Sequence, residues 1–157
     1  MLKSIIAFFT SIFMAIAAFF GIGGKPADPV QKGQWPIERA AVIALAESEG
    51  IEVVTQDCSL TPQPGGTPST REYTGIRLRD LLAYHGVDVD KLREDAYLIV
   101  ASGDADGFST NYNAALIKAN TTLLAWSEDG KEVIRMCVKG GPAYQFVKNV
   151  STLTLFA

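Results

Sequence analysis

At 157 residues and 48% hydrophobic content, the chain is about one domain long and has ample apolar material for a packed core. Its 14 Lys+Arg stand against 17 Asp+Glu, a formal net charge of -3; setting Lys3 aside with the leader leaves 13 against 17. No basic face is gathered in the sequence, which argues against nucleic acid as a partner.

Ile5 to Ile22 carries no charge. As a helix this run would cover roughly 27 Å, enough to cross the hydrocarbon of a bilayer. Residues 1–24 are therefore expected to be an N-terminal hydrophobic helix, either a cleaved export signal or an uncleaved anchor holding the membrane through residues 5–22. Ala15-Ile16-Ala17 has the small-residue form of a cleavage site, but cutting there would leave Ala18-Phe19-Phe20-Gly21-Ile22 on the product. Lys3 favours an N-terminus kept inside, which would make the remainder extracytoplasmic.

Gly21 to Gln34, with Gly23-Gly24, Pro26 and Pro29, has the makeup of a linker, so the domain is expected over residues 35–157 and the linker proper over 25–34. Trp35-Pro36 suits the opening of a helix whose stripe is Ile37, Ala41 and Leu45, with Ala40 and Ala44 close to a sheet and Gly50 as its stop. Ile51 to Gln56 is a β-branched run that predicts a strand ending at Asp57-Cys58. Ser59 to Glu72, with three prolines and Gly65-Gly66, predicts a long exposed loop.

Tyr73-Thr74-Gly75 reads as a tight turn releasing an amphipathic helix with Leu78, Leu81 and Leu82 on one stripe, Arg77 and Arg79 in solvent and Gly86 as a left-handed cap. Ala96 to Ala101 predicts a central strand, apolar on both faces. Asp106-Gly107 marks a turn, and Ser109 or Thr110 can cap a helical run over Asn111 to Ala119. A hairpin is expected about Ser127-Glu128-Asp129-Gly130. In its second arm Ile134, Met136 and Val138 face the core, while Arg135, Cys137 and Lys139 take the other face. Val150 to Phe156 is the last strand.

His85 is the sole histidine, which excludes a His-based zinc site and a Ser-His-Asp hydrolase; it reads as a surface residue compatible with a helix C-terminus. Asp88, Asp90, Glu94 and Asp95 lack the spacing and glycine of a calcium loop, and Asp104 with Asp106 is a sparse alternative.

Tyr73 to Leu82, Asp106-Gly107-Phe108, Leu123-Leu124-Ala125-Trp126 and Phe146-Val147-Lys148-Asn149-Val150, taken in order, resemble the molybdopterin-binding oxidoreductase domain, the fold of sulfite oxidase and its bacterial relatives. The resemblance spans about residues 35 to 157 and implies an α+β domain with a mixed β-sheet around a cofactor cleft. It implies a molybdopterin cofactor whose molybdenum takes a cysteine thiolate, with Cys58 at the corresponding place. It also implies Arg135 as a contact for a phosphate or pterin group, Lys148 as an assistant and Asp106 as a turn residue near the cleft. A soft, deprotonated sulfur and a planar fork of donors are what such a site needs. The activity implied is two-electron redox chemistry, with substrate and redox partner unspecified.

Three departures from the family pattern point another way. Cys58 is followed by Ser59-Leu60-Thr61-Pro62, without the bulky or basic neighbours of relatives. The segment between Gly130 and Arg135 is short. Met1-Leu2-Lys3-Ser4 has no arginine pair of the kind that exports folded, cofactor-loaded enzymes. The alternative is a cofactor-free binding module on the same fold. Cys58 and Cys137, the only cysteines, are open to three readings: metal ligand, disulfide, or unpaired thiols.

Overall fold

The computed structural model describes residues 26–60 and 64–157; the hydrophobic leader expected at residues 1–24 lies outside the described residues. Among those described, no helix is long and apolar enough to cross a membrane.

Eight strands form two sheets of four, with every pairing antiparallel. The first sheet runs β1 (Gln31–Pro36), β8 (Val150–Phe156), β4 (Tyr97–Ser102), β5 (Ser109–Asn113) in spatial order. The second runs β2 (Val53–Leu60), β3 (Ser69–Arg77), β6 (Thr122–Glu128), β7 (Lys131–Val138). Three short helices, α1 (Arg39–Glu49), α2 (Leu78–Tyr84) and α3 (Ala114–Lys118), complete the α+β domain. Leu98, Val100, Leu153 and Leu155 of the first sheet share one core with Leu124, Met136 and Val138 of the second and with Leu78, Leu81 and Leu82 of α2. Each buried leucine contributes about 1.5–3 kcal/mol relative to leaving it in water.

α2 ends as its sequence predicts. Gly86 N–H donates to Ala83 O and Val87 N–H to Leu82 O, both at 3.0 Å, with Gly86 at φ +85°. These two bonds satisfy carbonyls that the helix end would leave orphaned, and only glycine takes that conformation without strain. The hairpin between β6 and β7 also forms where expected, with Asp129 and Gly130 both at positive φ.

Other elements differ from the expectation for identifiable reasons. Gln31–Pro36 is a strand paired with β8, so part of the expected linker belongs to the sheet and Trp35-Pro36 ends a strand instead of opening a helix. Pro36 is tolerated there because β1 is an edge strand. α1 starts at Arg39 and buries Val42 and Ala46, leaving Ala40, Ala41 and Ala44 exposed, so its apolar stripe is offset from the one drawn through Ala41. The expected loop over Ser59 to Glu72 is mostly hairpin: Ser59 and Leu60 extend β2, and Ser69 to Glu72 open β3. Asn111–Asn113 is strand, and α3 begins only at Ala114, where Asn113 Oδ1 accepts the Leu116 N–H at 2.9 Å.

The Tyr73-Thr74-Gly75 stretch is extended inside β3, not a turn. Gly75 sits at a bulge against β6, and a Cβ there would lie 2.1 Å from the Leu124 carbonyl oxygen. Glycine is required at that point for close backbone approach. Arg77 and Arg79 are not simply solvated either: Arg77 donates to Glu52 at 2.7 Å and Arg79 to Asp90 at 2.8 Å.

Candidate functional site

The face of the second sheet turned away from the main core carries a smaller one, made of Cys58, Tyr73, Leu123, Ala125, Cys137 and Phe146 with Val54 and Leu60 packed against it. Cys58 of β2 and Cys137 of β7 are joined here as a disulfide, both with no exposed surface. Gln56 spans the junction: its Nε2 lies 3.3 Å from Cys58 Sγ and 3.4 Å from Cys137 Sγ, and donates to Thr121 O at 2.8 Å.

Beside this small core lies a buried charge cluster. Arg135, expected on a cation-bearing exposed face of β7, is 6% exposed. Its Nη1 donates to both oxygens of Glu128 at 3.2 Å, and its Nε donates to Phe146 O at 3.2 Å. Arg71 donates to Glu128 from β3, and the Tyr73 hydroxyl reaches Glu128 at 3.3 Å. Burial would raise the Glu128 carboxyl, but the hydrogen bond from Arg71 and the charge of Arg135 more than offset it, so it is held below the ordinary glutamate range. Burial raises the Tyr73 phenol.

A bulge explains why Glu128 faces inward. Leu123 and Ala125 of β6 point into the small core, and the register shift between Ala125 and Ser127 reverses the alternation, bringing the even-numbered Glu128 onto the same side. Trp126, left out of the ladder, has its carbonyl taken by Arg39 Nε at 3.0 Å. Nothing in the residue pattern signals that reversal, and Glu128 reads in the sequence as part of a turn.

Next to Arg135 a cleft of about 400 Å³ opens between the β4–β5 turn and the connection from β7 to β8. Asp106, Arg135 and Lys148 all line it, so three residues singled out in the sequence meet at one place. Cys58 does not line it; the sulfur lies in the small core, which shares Leu60 and Phe146 with the cleft lining. Asp106 is a turn residue, its Oδ1 accepting the Phe108 N–H at 3.2 Å. Asn149 ties the two sides together: its Nδ2 donates to Asp104 Oδ1 at 2.7 Å, and its carbonyl accepts the Gly103 N–H at 2.8 Å. Phe108 and Tyr144, 40% and 57% exposed, complete the walls. Tyr144 has no periodicity or motif to mark it in the sequence. Arg135 and Lys148 also border a second cleft, of about 540 Å³, with Arg71, Glu128 and Lys131. No group of three or more His, Cys, Asp or Glu side chains suited to a metal occurs among the described residues.

Residues 41–157 match the family described as the oxidoreductase molybdopterin binding domain. The chain belongs to that family. The fold agrees: the sulfane dehydrogenase SoxCD from Paracoccus pantotrophus superposes with a TM-score of 0.55 at 18% sequence identity, covering 68% of this chain and 32% of the other. This chain thus spans about a third of the length of that protein. No curated protein sequence matches it. A shared fold at this identity carries the architecture and leaves the chemistry to the site residues.

Proposed function

We propose that this molybdopterin-binding-family domain works outside the cytoplasm as a cofactor-free binding module, with the cleft lined by Asp106, Arg135 and Lys148 as its ligand site. The observation that carries the reading is the state of Cys58. A molybdenum ligand has to be an accessible thiolate, whereas the Cys58 sulfur is bonded to Cys137 and has no exposed surface. Arg135 is committed in part: a guanidinium grips a phosphate best with its whole fork of donors, and here Nη1 and Nε already serve Glu128 and the Phe146 carbonyl, which leaves Nη2. The residues present do not fit the group the family name implies, and no step through molybdenum follows from them.

A second reading keeps the family chemistry, with molybdopterin bound, Cys58 on molybdenum and Arg135, Asp106 and Lys148 around the cofactor. The meeting of these last three residues at one cleft favours it. The two readings separate cleanly by experiment. Full-length protein from a host competent in molybdopterin synthesis is assayed for molybdenum and pterin, with Cys58→Ser beside it and free thiols counted. Absence of both, with no free thiol, supports the binding module. One molybdenum per chain, lost in Cys58→Ser, replaces it with the enzyme.

A further inference from the structure

The cleft between the β4–β5 turn and the β7–β8 connection carries opposite charges that do not pair. Asp104, Asp106 and Lys148 all line it, yet none of the three forms an ion pair with another residue among those described. Each carboxylate gives one oxygen to a local hydrogen bond, Asp104 to Asn149 and Asp106 to the Phe108 N–H, and keeps the other free. Arg135 shares the single carboxylate of Glu128 with Arg71, so that cluster adds one net positive charge on the Lys148 side of the cleft.

Apart from Ser102 the remaining lining is apolar. Phe146 and Val147 are buried and Leu60 partly so, while Phe108 and Tyr144 hold large aromatic surfaces in water, two of only five large apolar side chains so exposed among the described residues. Aromatic rings left wet at the mouth of a cleft are anchors for a partner's apolar body, and few polar groups are needed beside them to fix its orientation. At about 400 Å³ the space is at the small end of ligand pockets, which run from about 300 to 1,000 Å³.

From these features we infer that the cleft binds a small zwitterion with an aromatic or branched apolar body, a hydrophobic amino acid or the free ends of a very short peptide. The ammonium group meets Asp104 and Asp106, the carboxylate meets Lys148, and the apolar body lies against Phe108 and Tyr144. A ligand of one sign would satisfy one set of charges and be repelled by the other. This inference rests on the cofactor-free reading above.

The test is calorimetry on full-length protein whose molybdenum and pterin content has been measured first. The probes are L-phenylalanine, L-phenylalanyl-L-phenylalanine, N-acetyl-L-phenylalanine and L-phenylalaninamide. One or both zwitterions bind, and each derivative lacking one charge binds about tenfold more weakly or worse, the scale of one lost charged hydrogen bond. Which zwitterion binds tells a free amino acid from peptide ends. Asp104→Asn with Asp106→Asn keeps both local acceptors and removes both charges, so it weakens the zwitterion and, by removing their repulsion, does not weaken the anionic N-acetyl-L-phenylalanine. Lys148→Gln does the same for the carboxylate, with binding of the cationic L-phenylalaninamide not weakened. Equal binding of charged and blocked probes, or no binding by protein free of pterin, overturns the inference and leaves the cofactor-free reading standing. Stoichiometric pterin overturns both.

Discussion

Cys58 and Cys137 sit on opposite edges of one four-stranded sheet and are nevertheless bonded to each other. Along the ladder, Cys137 is level with Leu123 and Arg77, while Cys58 is opposite Arg71, six positions away on β3. A flat sheet would hold the two strands apart by three inter-strand spacings, about 14 Å. Their α-carbons are 7.0 Å apart, so the sheet coils with stagger until its first and last strands meet around the small core.

Opening this bond removes a constraint on a loop of sequence separation 79, worth about 4 kcal/mol in the chain-entropy argument. Cys58→Ser, Cys137→Ser and the double variant are expected to lose the same stability in urea unfolding, because each breaks the same bond. A double variant much less stable than either single one would show that the two sulfurs contribute separately.

Glu128→Gln should be severe. It leaves the buried Arg135 and the neighbouring Arg71 facing a neutral amide, and unpairing a buried charge costs about 3–5 kcal/mol. The pH dependence has a definite sign. The carboxyl is held below its ordinary range in the fold, so its stabilisation is complete above the unfolded value of 4.5 and is lost as pH falls from there through the folded value. Unfolding measured between pH 3 and 7 should show that slope in the parent and its loss in the variant.

His85 is a surface residue, as expected, but its charge does not follow the helix end. A helix C-terminus favours a charged imidazole, but α2 is only seven residues long, and partial desolvation of this exposed ring, stacked on Trp35 at a ring-centroid distance of 5.1 Å, lowers the pKa instead. The fold therefore favours the neutral ring. The unfolded chain takes up the proton first, so stability declines as pH falls through the unfolded value of 6.5 toward the lowered folded one. An NMR titration of the single histidine should give a midpoint below 6.5, and His85→Gln should flatten stability across that window.

Two glycines of one stretch should answer differently to alanine. At Gly75 the new methyl would meet the Leu124 carbonyl and the Ala125 backbone, neither of which is a flexible side chain, for a loss of about 3 kcal/mol or more. At Gly86 nothing lies within 4 Å, and the left-handed conformation alone sets a cost of about 1–2 kcal/mol. Thermal unfolding of the two variants side by side checks the order.

The elements legible from the sequence are those whose pattern and environment agree. Val150–Phe156 alternates, and lies half against the core; Asp129-Gly130 makes a turn because two successive residues take positive φ. β1 was hidden because an edge strand can carry Gly33, which falls in a stretch of linker composition, and Pro36, which otherwise suits the first turn of a helix. β3 was hidden because Tyr73-Thr74-Gly75 has turn chemistry, while the reason for its glycine is a backbone 50 residues away in β6. Asp106, Arg135 and Lys148 could be picked out by resemblance, and they do share a cleft. The ion pair that occupies Arg135 could not be seen, since it depends on a bulge that turns Glu128 inward.

The coiling of the second sheet has one more consequence. An outer strand normally shows a row of unpaired amides and carbonyls to which a second molecule can add its own strand. Here β2 and β7 are drawn toward each other, and the Gln56 side chain fills part of the space between them by taking the Thr121 carbonyl. With the bond between the cysteines intact these two edges offer little for a neighbouring chain to extend; reduction is expected to free them, and light scattering of the reduced against the oxidised protein checks whether it then self-associates.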